Sequence, residues 1–263
     1  MLGCFVLTMI FYVIALIVVS RRLFRVGGPN RPLATAAGAI AVVLHAVVLS
    51  QAIFTPEGQN FSVSNVFSLV NWLIALTFTV LIFRLKVMVV ATVVYGCAIV
   101  SVGLMWLIPS SYIGHFNAHP AVLAHVILSL MAFSTLMIAA LYAIQLWVIL
   151  NKLKTKQLIK TPSMPPLLTL EKQLYQLVIM GFILLSLSIG TGFISLNNIF
   201  VGGMGHKMVL SILAWLVYVV MLWQQYSKGC KIRTAVIYTI SGAGLIFLAY
   251  FAARIVNELI LIG

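Results

Sequence analysis

Eight apolar runs of about 20 residues, separated by short polar breaks, constrain this chain more than any other feature. A helix of that length crosses a hydrocarbon core about 30 Å thick, and a chain built of such helices has little to offer water. Composition agrees with this. Of 263 residues, 63% are hydrophobic and 7% charged, against about 25% charged in an ordinary soluble domain. The runs predict helices near 2–20, 33–53, 64–83, 86–108, 121–150, 174–196, 207–226 and 234–256. The expected fold is all-α: a polytopic membrane protein with a bundle of eight transmembrane helices, forming one domain over residues 1–263.

The formal net charge of +13 raises the question of nucleic acid. Nucleic-acid binders gather their cations into a stripe interleaved with aromatics, whereas fourteen of the sixteen Lys and Arg here fall in alternate breaks. These are Arg21, Arg22, Arg25 and Arg31 in the first, Arg84 and Lys86 in the third, five lysines from Lys152 to Lys172 in the fifth, and Lys228, Lys231 and Arg233 in the seventh. Basic loops stay cytoplasmic, so the pattern predicts a bilayer-embedded chain with both termini outside the cytoplasm and no nucleic-acid partner. Arg84-Leu85-Lys86 must then form a tight turn. The first run has no basic region before it and three arginines after it, so it is expected to be a membrane span and not a cleaved signal. In the long fifth break, Pro162, Pro165 and Pro166 resist helix continuation, Thr169 is the expected cap of the next helix, and Glu171 is expected in its first turn.

Several chemistries lack a signal. Cys4, Cys97 and Cys230 are predicted at an outer face, mid-helix and in a cytoplasmic loop, so no pair shares an oxidising compartment. No C-x-x-C or C-x-x-C-H occurs, which leaves thiol exchange and covalent c-type haem without support. The acids Glu57, Glu171 and Glu258 all fall near helix ends, so no midplane carboxylate relay is available. No P-loop, H-E-x-x-H or G-x-S-x-G pattern is present, and no catalytic residue is predicted.

The histidines are the remaining candidates, because an ionisable side chain inside a bilayer is costly. His45 lies twelve residues into the second helix from its cytoplasmic end, roughly 18 Å up the core. His125 lies roughly 6 Å below the outer surface on the fifth helix, and His206 opens the seventh. His115 and His119 fall in the outer loop before the fifth helix, where solvated loop positions are the simpler assignment. Imidazole is a common axial ligand of haem iron, and facing helices in a bundle can bring two imidazoles to one metal. The packing alternative for His45 is an interhelical hydrogen bond, and for His125 an interfacial polar position. Gly190-Thr191-Gly192 and Gly202-Gly203-Met204-Gly205 permit close helix approach and a flexible outer loop, without the form of a phosphate cradle.

The run from His125 through Leu146 resembles the haem-handling helix of the cytochrome c assembly proteins of the CcsA and HemX-like class. Pro165-Pro-Leu-Leu-Thr-Leu-Glu-Lys, His206-Lys-Met-Val-Leu-Ser-Ile-Leu-Ala-Trp-Leu-Val-Tyr and Leu248-Ala-Tyr-Phe-Ala-Ala-Arg-Ile-Val are similar to the YpjD branch of that class. The resemblance covers nearly the whole chain. It implies a multi-pass bacterial inner-membrane protein with periplasmic termini, non-covalent haem b, cytochrome complex assembly, and His125 as the match for a family haem-site histidine. Partners implied are haem and cytochrome maturation proteins; the alternative is a non-haem accessory subunit of another inner-membrane complex, such as an ion transporter. The synthetase members carry a tryptophan-rich outer loop ending in Trp-Asp and a later histidine. Here the loop Asn197 to Gly205 has no tryptophan and Trp223 stands in the histidine's place, so haem lyase activity is not expected.

Overall fold

A computed structural model describes residues 2–21, 29–82, 88–108, 113–114, 120–154, 167–195 and 205–252. Eight α-helices occur among them: α1 Leu2–Ser20, α2 Arg31–Ile53, α3 Val63–Leu81, α4 Met88–Leu107, α5 Pro120–Lys154, α6 Leu167–Ser195, α7 Gly205–Lys228 and α8 Ile232–Phe247. All eight are long and apolar enough to cross a membrane. α8 continues as a π-helical turn, Leu248–Ala252. The helices form two compact units, Met1–His115 with Lys152–Leu170, and Phe116–Asn151 with Glu171–Gly263. The tight turn expected at Arg84-Leu85-Lys86, together with His115, His119, Arg254 and Glu258, lies outside the described residues.

In hydrocarbon, helices gain nothing by hiding apolar surface from one another, so small residues and interhelical hydrogen bonds carry association. The first unit shows both. α1 packs on α2 and α4, and α3 packs on the same two helices, which closes a four-membered ring. α1 buries only Thr8, Tyr12, Ala15 and Val19, a stripe of alternating four- and three-residue steps, and exposes Leu7, Ile10, Ile14 and Ile17 as a lipid-facing helix must. α2 buries a seam of small residues, Ala34, Ala37, Gly38 and Ala41, continued by His45. Gly38 is needed for close approach: a Cβ there would stand 2.9 Å from Cζ of the buried Tyr95. α2 starts cleanly because the Asn30 side chain accepts a hydrogen bond from the Leu33 amide at 3.3 Å and Pro32 suits the first turn.

A small antiparallel sheet, which the sequence pattern gave no reason to expect, sits at the ends of α2 and α3 remote from the basic loops. Its strands are β1 Phe54–Thr55, β2 Gly58–Asn60 and β3 Ile113–Gly114, in the order β1-β2-β3. Asn65 ties α3 to it by donating to the carbonyls of Asn60 at 3.0 Å and Ala52 at 3.4 Å. Strands of two and three residues leave no readable period-two pattern.

In the second unit α5 meets α6 through Tyr142, whose hydroxyl donates to Gln173 Oε1, and through Leu136 against Gly181. α6 meets α7 where Trp215 donates to Ser186 at 2.9 Å and stacks on Phe182 with ring centroids 5.7 Å apart. Tyr218 joins α7 to the Thr239 carbonyl of α8 at 3.3 Å, and Phe133 of α5 packs on Tyr250 and Phe251 of the π turn.

One local expectation is corrected. α6 begins at Leu167, so Thr169 is its third residue and does not cap it, and no acid occupies the first turn. The apolar face extends a turn earlier than the sequence boundary near 174: Leu170 is buried in register with Leu174 and Leu177, while Lys172 is exposed.

Replacing His45 by Ala would leave the hydroxyls of Tyr12 and Ser68 facing each other across a void. It is expected to lower unfolding stability in detergent by about 1–3 kcal/mol. Thermal melts of wild type and variant check this, and an unchanged midpoint would contradict it.

Candidate functional site

His45 belongs to the first unit and His125 to the second. His45 is fully buried. Its Nδ1 lies 3.1 Å from the Tyr12 hydroxyl of α1 and its Nε2 lies 2.9 Å from the Ser68 hydroxyl of α3, so one imidazole on α2 bridges three helices. The Tyr12 ring meets the imidazole edge-on at 5.7 Å and lies against Tyr95, whose hydroxyl is 3.1 Å from Thr79 Oγ1. Both partners of His45 are hydroxyls, which donate or accept, so either tautomer satisfies the chain. The interhelical hydrogen bond is therefore what this histidine makes, and neither ring nitrogen is left over for a metal. Tyr12 and Ser68 were absent from the sequence candidates; a Tyr and a Ser inside apolar helices were the available signals.

His125 differs in the respect that matters. It sits near the end of α5 opposite Lys152 and Lys154, half-buried, with Nδ1 2.8 Å from the main-chain carbonyl of Ser188 on α6. A carbonyl has no proton to give, so Nδ1 must carry the hydrogen and donate it. In neutral imidazole that assigns the lone pair to Nε2. Among the described residues Nε2 has no hydrogen-bond partner. The ring is seated by Gly192, one turn beyond Ser188: a Cβ there would stand 3.0 Å from Cε1 and 3.2 Å from Nδ1. Thr191 turns its hydroxyl back onto the carbonyls of Leu187 and Ser188, both at 3.0 Å, and its oxygen lies 3.5 Å from Nδ1 of His125, on the same side as the Ser188 carbonyl. Close approach, expected of the Gly190-Thr191-Gly192 stretch as a whole, is used at Gly192; a Cβ at Gly190 would meet nothing within 4 Å.

An imidazole that donates from Nδ1 to a fixed carbonyl and presents Nε2 has the form of a metal-ligating histidine, whose second nitrogen is almost always held in this way. His125 thus fits a haem iron by the chemistry of its nitrogens, and His45, with both nitrogens occupied and the ring enclosed, does not fit as it stands. His206 is the second residue of α7, and its side chain lies outside the described residues. Among the described residues no three His, Cys, Asp or Glu gather into a metal site.

Residues 33–261 match the cytochrome c assembly protein family, a span that crosses both units. The chain belongs to that family. It is also similar to the inner membrane protein YpjD of Escherichia coli strain K12, with 38% identity over 256 residues and 97% of each chain covered. The YpjD proteins of strains O6:H1 and O157:H7 match to the same extent. No solved structure matches this chain. The relatives' description and the eight apolar helices agree on a multi-pass inner-membrane protein.

Gly192→Ala is expected to push the imidazole off α6 and cost about 1–3 kcal/mol through overpacking. Gly190→Ala, in open space, should be neutral or slightly stabilising through helix propensity. Parallel detergent melts of the two variants check this; equal midpoints would contradict the seat assigned to Gly192.

Proposed function

We propose that this protein binds haem b within the inner membrane and holds or passes it during cytochrome complex assembly, through Nε2 of His125. The observation that supports this is the hydrogen bond from Nδ1 of His125 to the Ser188 carbonyl, which fixes the tautomer and aims the free lone pair. Haem, if bound, would supply an iron able to take an imidazole nitrogen as ligand, with His125 as the residue that would hold it. The chain's contribution is positional. Ser188 orients the ring and Gly192 gives it room. No residue is assigned a bond-making role, and the chain is proposed as a carrier and not a haem lyase. His45 enters as a second ligand only by giving up Ser68 or Tyr12, so its proposed role is to hold α1, α2 and α3 together. His206 stands as the reserve ligand on the evidence of its position alone.

One observation favours the alternative of a non-haem accessory subunit: His45, the more deeply buried of the two described histidines, is wholly engaged in packing. The two readings separate in one preparation. Protein purified in mild detergent from haem-replete cells is expected to show a Soret band that His45→Ala retains and His125→Ala weakens about tenfold or more. A haem-free wild type that stays folded through loading attempts, and co-purifies with a stoichiometric transporter, would establish the rival.

The charge asymmetry of the loops further supports periplasmic termini. Reporter fusions after Glu57 should be active outside the cytoplasm and fusions after Lys160 inactive there; the reverse pattern would overturn the orientation.

A further inference from the structure

The hydrogen bonds that hold α1, α2 and α3 together continue into a buried polar column inside the first unit. Ser68 and Thr79 lie eleven residues apart on one face of α3, about three turns and 16 Å. Thr79 is two residues from the end of α3 at Leu81, and Ser68 is five from its start at Val63 beside the sheet. The neighbouring helices fill the interval with groups that carry hydrogens. Ser68 Oγ meets Nε2 of His45 at 2.9 Å, Nδ1 of His45 meets the Tyr12 hydroxyl at 3.1 Å, and the Tyr95 hydroxyl meets Thr79 Oγ1 at 3.1 Å. Tyr12 and Tyr95 are in ring contact, their centroids 5.9 Å apart. All five side chains are buried, and buried Asn65 carries the polar face of α3 beyond Ser68 to the Asn60 carbonyl of the sheet at 3.0 Å. Cohesion is served elsewhere by isolated bonds, as from Trp215 to Ser186 and from Tyr218 to the Thr239 carbonyl. Here the bonds stand in series.

What such a series can move follows from its chemistry. Each member from Ser68 to Thr79 is a hydroxyl or an imidazole, able both to give and to take a hydrogen. No charged side chain is buried among the described residues, and a metal ion would need a ring of oxygens to replace its water. A proton needs only the chain. We infer that the first unit is a gated proton path across the membrane, with His45 as its relay and the Tyr12–Tyr95 contact as its gate. A proton arriving on the Ser68 oxygen sends the Ser68 hydrogen to Nε2 of His45, while Nδ1 gives its own to the Tyr12 oxygen. Tyr12 passes its hydrogen to Tyr95, Tyr95 to Thr79, and Thr79 releases one at the cytoplasmic end. One proton enters and one leaves, only O–H and N–H bonds change, and no electron is transferred. Neither nitrogen of His45 is free for a ligand, yet both exchange hydrogens with their hydroxyls without the loss of a bond. The gate lies lower in the column. The Tyr12 hydroxyl is bonded to His45 and the Tyr95 hydroxyl to Thr79, so the hop between them waits for one ring to turn toward the other. That wait, and the return of the imidazole to its first tautomer, keep the path slow.

The experiment reconstitutes the full-length protein into vesicles of phosphatidylethanolamine and phosphatidylglycerol that enclose a pH-sensitive dye. A potassium gradient with valinomycin makes the interior negative, and the dye reads proton entry. Wild-type vesicles are expected to acidify faster than protein-free ones, and more slowly in heavy water. Tyr12→Phe and Ser68→Ala each remove one oxygen from the chain and should cut the protein-dependent rate about tenfold or more. Tyr226→Phe, which removes a hydroxyl from a side chain 95% exposed and outside the column, should leave it unchanged. A purely cohesive role has the opposite sign, because losing a bond loosens the helices and raises any leak. A wild-type rate equal to that of protein-free vesicles overturns the inference, as does an unchanged or raised rate in either variant that keeps its size-exclusion behaviour. Should neither variant fold, the wild type decides: a rate above the protein-free level that falls in heavy water upholds the path, and any other result overturns it.

Discussion

A polar side chain inside hydrocarbon has no water to fall back on, so its nitrogens and oxygens must be met by other parts of the chain. That requirement organises the whole molecule. In the first unit it draws α1, α2 and α3 onto one imidazole and α4 onto Thr79 through Tyr95. In the second it joins α5 to α6 at His125 and Tyr142, α6 to α7 at Trp215, and α7 to α8 at Tyr218. Small residues then decide how closely the helices approach, with Gly38 beneath Tyr95 and Gly192 beneath His125.

The same accounting separates the two membrane histidines. His45 is satisfied twice, by hydroxyls that leave its tautomer open, and its chemistry is used up in cohesion. His125 is met at Nδ1, by the Ser188 carbonyl at 2.8 Å with the Thr191 hydroxyl at 3.5 Å; the carbonyl leaves no choice of tautomer, and the other nitrogen remains. The difference comes from the partner and not from depth or burial. It gives a physical basis for concentrating the proposed haem chemistry of a cytochrome c assembly family member on the α5–α6 contact.

The eight helices were legible in the sequence because hydrocarbon thickness dictates their length and short breaks separate them; most observed boundaries fall within three residues of the apolar pattern. α6 escaped that accuracy because polar Glu171 and Lys172 interrupt the apolar run on one face while Leu170 continues it on the other. The three short strands were illegible because two or three residues cannot display a period. Among the site residues, His125 could be named from its position, but Ser188 could not, since a main-chain carbonyl carries no signal in the identity of its side chain. Tyr12 and Ser68 were open to suspicion as hydroxyls within apolar runs, yet only coordinates pair them with His45.

The central claim is that Nδ1 of His125 is protonated and Nε2 is not. Solid-state nitrogen NMR of protein carrying labelled histidine, with the His125 signals assigned by their loss in His125→Gln, reads this directly in the haem-free protein. For the neutral ring the account predicts the proton on Nδ1, hydrogen-bonded, and a non-protonated Nε2. A His125 ring protonated on Nε2 instead would contradict it, because the Ser188 carbonyl would then face a nitrogen with nothing to donate.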